Sequence, residues 1–165
     1  MKVKKQNYLT KKIMYVMTIL LVGFVSQANA QQGYTKYCNA RYGFCVEYPV
    51  TFGMEPAPTN NDGRVFYDRD GFSMRVYGSY NALEHSFHDE MKEEKQEFDT
   101  ITYKTAKHNW YVLSGYKDGM ILYIKTYMSR DREIFYHLRI SYPAKYKTEY
   151  NQIVAKASKS FKPGS

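Results

Sequence analysis

The first 30 residues constrain this chain most, because their pattern removes them from the fold. Met1 to Lys12 carry five lysines and no acid, Ile13 to Val25 form an uncharged apolar stretch, and Ala28-Asn29-Ala30 follow. This is the layout of a secretory signal peptide ending in an A-x-A cleavage site. The apolar stretch of 13 residues falls short of the roughly 20 needed to span a bilayer, so the pattern predicts cleavage after Ala30 and no stable membrane anchor. The folding unit is then residues 31–165, one domain, secreted or periplasmic, that folds in an oxidising compartment.

Cleavage also resets the charge. Lys2, Lys4, Lys5, Lys11 and Lys12 leave with the leader, so the formal net charge falls from +8 to +3. A nucleic-acid partner, which calls for a concentrated basic footprint, is therefore not expected. The remaining 135 residues suffice for one core without a disulfide framework, burying roughly two-thirds of the unfolded surface.

Periodicity then places the elements. Lys36–Cys38 and Phe44–Tyr48 read as the arms of a hairpin around Asn39-Ala40-Arg41-Tyr42-Gly43, where Asn and Gly suit a tight reversal. Cys38 and Cys45 face each other across it, and in an oxidising compartment they are expected to form a disulfide. Closing so short a loop stabilises by about 2.5 kcal/mol in the chain-entropy model. Residues 53–63, rich in Pro, Asn and Asp, read as a surface loop. Arg64–Asp68 and Phe72–Gly78 form a second hairpin, turned by Asp70-Gly71.

Asn81 is placed as the N-cap of an amphipathic helix running to Phe98, with Leu83, Phe87, Met91 and Phe98 on its buried stripe. Four strands follow, Ile101–Lys107, Trp110–Tyr116, Met120–Met128 and Glu133–Tyr142, with connections short enough to require antiparallel pairing. A last helix spans Lys145–Ser160, and Lys162-Pro163-Gly164-Ser165 is expected to fray. The fold class is α+β, an antiparallel sheet flanked by helices.

The run Tyr37-Cys38-Asn39-Ala40-Arg41-Tyr42-Gly43-Phe44-Cys45-Val46-Glu47-Tyr48-Pro49 resembles the aromatic-x-Asn-x-Arg-aromatic-Gly-Phe-x-hydrophobic-x-Tyr-Pro opening of PsbP-like domains. Ala57 to Phe66 looks like the Asn-Gly-Asp-Gly-Arg-hydrophobic-Phe segment of their bacterial extracytoplasmic members, and Ser141-Tyr142-Pro143 precedes a helix ending in Ser160-Phe161. The resemblance implies an α/β/α sandwich and a small accessory or binding protein with no common catalytic site. The cysteines at 38 and 45 and the abundance of tyrosine depart from the pattern.

No cluster in the sequence spells out a reaction. His85 and His88, beside Glu84 and Asp89, read as a solvated helix face rather than a zinc site, which needs three or four well-placed ligands. Calcium-loop readings around Asp62 and Asp70 fail at the positions that must carry carboxylates. There is no G-x-S-x-G elbow, both cysteines are consumed, and His108 and His137 have no serine partner visible in the sequence. No cofactor or metal is expected.

What remains is tyrosine, 18 in all, of which Tyr8 and Tyr15 leave with the leader. Its apolar body and polar tip suit binding surfaces. The expected function is a non-catalytic accessory or binding protein of the cell envelope with a protein or glycan partner. Asn60, Asn61, Asp62 and Arg64 of the loop and Tyr111, Tyr123 and Tyr127 of the later strands are the candidate contacts. The alternative is a small-ligand-binding or hydrolytic protein whose site only the fold assembles. Intact-mass spectrometry of the exported protein is expected to give a chain beginning at Gln31. Membrane-embedded material still carrying Met1 to Lys12 would overturn the leader reading.

Overall fold

The computed structural model describes residues 33–164. The leader reading and Ser165 lie outside the described residues. Among the described residues ten strands, two α-helices and one 3-10 turn (Ala144–Tyr146, before α2) follow one another: β1 (Tyr34–Asn39), β2 (Phe44–Pro49), β3 (Gly53–Met54), β4 (Gly63–Tyr67), β5 (Ser73–Tyr80), α1 (Phe87–Lys95), β6 (Thr100–Ala106), β7 (Trp110–Lys117), β8 (Met120–Met128), β9 (Ile134–Pro143), α2 (Lys147–Ser160) and β10 (Lys162–Pro163). Seven strands form one antiparallel sheet in the order β3-β4-β5-β9-β8-β7-β6, and β1-β2-β10 form a second, smaller one.

Strand alternation divides the core into two. Leu138 and Ile140 of β9, with Met74 and Val76 of β5, pack beneath α2 and the small sheet, meeting Ile153, Ala157, Phe161, Phe44 and Val46. The opposite face carries Tyr111, Leu113, Met128 and Phe135, which Phe87 and Met91 of α1 cover. β9 and β8 are therefore buried on both faces, which explains why their sequences barely alternate. The arrangement is the expected α+β sandwich.

The geometry of the first hairpin has a local cause. Asn39 is 2% exposed; its Oδ1 accepts the Tyr42 N–H at 2.9 Å, and its Nδ2 donates to the Asn61 carbonyl at 2.9 Å. Gly43 takes φ +69°, the left-handed conformation a tight turn needs. Tyr42 then lies against Gly78, where a Cβ would sit 2.3 Å from the Tyr42 ring.

Three expectations are corrected. The helix does not begin at Asn81: Ser86 is the N-cap, in a capping box with Asp89. Asn81 instead clamps the preceding turn, accepting the His85 N–H at 2.8 Å and donating to the Arg132 carbonyl at 3.0 Å, and Leu83 is left exposed. The 53–63 segment is not wholly loop, because Gly53 and Met54 pair with Tyr67 and Phe66. Lys162 and Pro163 do not fray; they pair with Cys45 and Phe44, supplying partners to a strand that would otherwise bury an open edge.

Cys38 and Cys45 stand directly opposite in the β1–β2 register and form a disulfide. Replacing both by serine is expected to lower unfolding free energy by about 2 kcal/mol, read as a lower urea midpoint with the slope unchanged.

Candidate functional site

The loop residues nominated from sequence have internal duties. The Asn60 carbonyl accepts from Arg41, the Asn60 side chain bonds Asp62 at 3.0 Å, and the Asn61 carbonyl is held by Asn39. The Asp62 carbonyl accepts the Gly78 N–H at 3.0 Å, and Arg64 lies 5.6 Å from the Tyr37 ring centroid. These groups tie the loop to the first hairpin and to β5. They also sit at the β4 end of the sheet, three strand steps or about 14 Å from β8, so they form no common patch with Tyr123 and Tyr127.

Tyr111 is removed from the surface set altogether. It is fully buried under α1, and its hydroxyl donates to Glu94 Oε2 at 2.6 Å. Burial and the Glu94 charge push its ionisation far above the ordinary tyrosine range. A one-residue shift along a strand changes the face, and Tyr111 lies on the other face from Trp110.

Tyr123 and Tyr127 are half-buried beside α2, the Tyr123 hydroxyl 2.6 Å from Ser158 Oγ and the Tyr127 ring edge-on to Phe161. Register sets Trp110 opposite Tyr127, Val112 opposite Lys125 and Ser114 opposite Tyr123, while Tyr103 of β6 stands opposite Ser114. All of these share one face of β6–β8. Lys125 is buried there: its Nζ donates to the Ser158 carbonyl at 2.7 Å and lies 5.0 Å from the Tyr127 ring and 5.5 Å from Trp110. Burial and the nearby Lys162 lower its pKa. Tyr103 and Tyr116, 55% and 40% exposed, extend the face outward. Sequence reasoning missed Trp110, Tyr103, Tyr116 and Lys125; strand register was the signal that groups them.

The opposite face holds a buried polar cluster. Glu94 of α1, 4% exposed, accepts from Tyr111, from Thr126 Oγ1 at 3.1 Å, from His137 Nδ1 at 3.1 Å and from Arg139 Nη1 at 3.4 Å. Arg139 continues to Glu97, and the Tyr77 ring stacks on His137 at 4.6 Å. Because a carboxylate only accepts, the proton of the His137 imidazole belongs on Nδ1. Its Nε2 then faces Ser79 Oγ at 3.3 Å and Glu90 Oε1 at 3.9 Å. Burial and the neighbouring Glu94 raise the Glu90 carboxyl above its ordinary pKa. Of the His85 and His88 pair read in sequence as a solvated helix face, His88 is exposed and only edges Phe87, whereas His85 lies 3.6 Å from Glu90.

Glu94→Ala is expected to destabilise the fold by about 3 kcal/mol, because it leaves the buried His137, Thr126 and Tyr111 without their shared acceptor. Tyr111→Phe removes one charge-assisted bond and should cost about 1.5 kcal/mol. Urea denaturation of both variants checks the order.

No family model matches the chain, and no curated protein matches it. Solved structures do. The solution structure of cyanobacterial PsbP (CyanoP) from Synechocystis sp. superposes with a TM-score of 0.57 at 13% identity, covering 82% of this chain and 95% of that one. The Saccharomyces cerevisiae Ran-binding protein Mog1p gives a TM-score of 0.50 at 10% identity, covering 81% and 96%. Likeness at such identities concerns the fold alone. This chain has a PsbP-like fold.

Proposed function

We propose that the protein is an exported, non-catalytic binding protein of the cell envelope, engaging a protein or glycan partner through the open face of β6–β8. One observation carries this reading: Trp110, Tyr103 and Tyr116 share one face of β6–β8 and belong to neither core cluster, while Tyr123 and Tyr127 on the same face pack against the core beside α2. Aromatic rings on rigid strands give contact area at little conformational cost. Lys125 lies close to the Trp110 and Tyr127 rings and helps to hold them in place, its ammonium being bound to the Ser158 carbonyl. The leader pattern and the disulfide support an extracytoplasmic setting. Among the described residues no helix is long and apolar enough to cross a membrane.

A second reading rests on Ser79, His137 and Glu94, which line up as a hydroxyl–imidazole–carboxylate relay with steps of 3.3 and 3.1 Å. Triads are recognised by such geometry. Ser79, however, lies within β5 rather than on a strand-to-helix elbow, and the imidazole is 2% exposed beneath α1. The relay is better suited to holding helix and sheet together than to attacking a scissile carbonyl.

Affinity capture from envelope extract tests the proposal. Trp110→Ala and Tyr116→Ala are expected to fold as the parent does and to reduce retention of a captured partner at least tenfold. Lys145→Ala, on the turn before α2, should leave it unchanged. Protease or glycosidase treatment of the extract separates the two partner classes. Equal retention by all variants would overturn the assignment of this face.

A further inference from the structure

At the end of the large sheet away from β6, residues of β3, β4, the turn after β4 and the start of α2 line a cavity of about 740 Å³, within the roughly 300–1,000 Å³ of small-ligand sites. Its walls are aromatic. Tyr146 and Tyr150, four residues apart and so on one helix face, stand nearly perpendicular with ring centroids 6.1 Å apart. Phe52 and Tyr150 both pack on Phe72, at 5.0 and 4.8 Å. Tyr67 lies over Gly53, its register partner, where a Cβ would sit 2.6 Å from the ring. Phe72 and Tyr150 belong to the core, whereas Tyr67 is 45% exposed and joins neither core cluster. The charged lining is acidic. Among the described residues it holds three carboxylates, Asp68, Asp70 and Glu149, against one guanidinium, Arg69, although the chain as a whole has 24 basic and 16 acidic residues. Asp68 is fixed: its Oδ1 accepts the Asp70 and Phe72 N–H groups at 2.9 Å each, and its Oδ2 accepts the Tyr150 hydroxyl. Burial and the charges of Asp68 and Asp70 push that hydroxyl above the ordinary tyrosine range, so both carboxylates act on the cavity wall. Asp70 and Glu149 are exposed and, among the described residues, in no ion pair.

We infer that this cavity binds a small organic cation of the quaternary-ammonium class, with its methyl groups against the aromatic walls and its charge balanced by Asp70 and Glu149. A cation over a ring face is attracted by the π electrons, the more so where water is excluded. One of these rings already holds a cation: the Lys145 ammonium lies 4.7 Å from the Tyr146 centroid. The carboxylates supply the field that draws the ligand in, and the rings supply the contact area. That division suits a charge spread over methyl groups better than a compact ion. Ca2+ takes about six to eight oxygens, whereas both Asp68 oxygens are engaged and, among the described residues, these three carboxylates are not gathered closely enough to share an ion. A phospholipid headgroup is also disfavoured, because its phosphate would be brought close to the same carboxylates. The ligand is therefore a free cation such as choline. The cavity lies at the opposite end of the sheet from the β6–β8 face, and the inference does not rest on the function proposed for that face.

The test titrates the exported chain with choline chloride, followed by calorimetry and by NMR of the tyrosine ring protons. Saturable one-to-one binding is expected, with the Tyr67 and Tyr146 rings shifted and the Tyr116 ring unmoved. The uncharged carbon isostere of choline, in which a tert-butyl group replaces trimethylammonium, should bind at least roughly fivefold more weakly. Tyr67→Ala and Tyr146→Ala should each weaken choline by roughly five- to tenfold, while Tyr146→Phe, which keeps the ring, stays within about twofold. Gly53→Ala removes no ring but displaces Tyr67, and it should weaken binding too. Asp70→Asn and Glu149→Gln should each cost about threefold, an effect that shrinks in high salt. Trp110→Ala, on the β6–β8 face, should leave choline binding unchanged. The ring shifts and the comparison with the isostere use the parent protein, so the inference stays falsifiable should Tyr146→Ala fold poorly. Absence of saturable binding, equal affinity for the isostere, or unchanged affinity in Tyr67→Ala would each overturn the site. Retention on phosphatidylcholine vesicles without binding of free choline would overturn the assignment to a free cation.

Discussion

A carboxylate withdrawn from water must be surrounded by donors, and the placement of α1 follows from that requirement. The helix has nine residues and buries only Phe87, Met91 and Glu94. Helices this short are marginal on their own, and two apolar side chains supply roughly 3–6 kcal/mol without fixing an orientation. Glu94 fixes it. Its donors come from β7, β8 and β9, three adjacent strands, so a shift of the helix by one turn would leave the carboxylate and several strand groups unsatisfied. Ser79, His85, Glu90 and Tyr77 take their places around that anchor.

The opposite face is organised by packing instead. α2 and the small sheet present Ile153, Ala157, Phe161, Phe44 and Val46 to the strands, and the fit is close enough that Gly78 leaves no room for a side chain beneath Tyr42. Where this cover ends, Lys125 marks the border, with its ammonium bound to the last turns of α2 and its stem between aromatic rings. The binding face we propose begins there because the covering elements run out over β6 and β7.

Local signals in the sequence were reliable where the structure is local. β8 spans Met120–Met128 as periodicity places it, Asp70-Gly71 turns the β4–β5 hairpin, and the two cysteines face each other. The start of α1 was misplaced because Asn81 and Ser86 are both good caps, and only the reciprocal partner Asp89 decides between them. Glu94 reads in sequence as one more charge on a helix rich in them. Its burial depends on Tyr111, Thr126, His137 and Arg139, 17 to 45 residues away. Tyr111 was misjudged for the same reason: alternation tells two faces apart but not which of them a distant helix will cover.

The β10 pairing carries a consequence for the order of folding. β2 receives Lys162 and Pro163 along its edge, and the Glu47 N–H bonds Ser160 Oγ across 113 positions. Contacts of such separation carry a large loop-closure cost and form late. A chain made from its N-terminus first would therefore present β1 and β2, with Cys38 and Cys45 both available for pairing, while their third strand was still to come. The first hairpin can be covalently complete long before it is structurally complete, and its open edge is most vulnerable to wrong pairing in that interval.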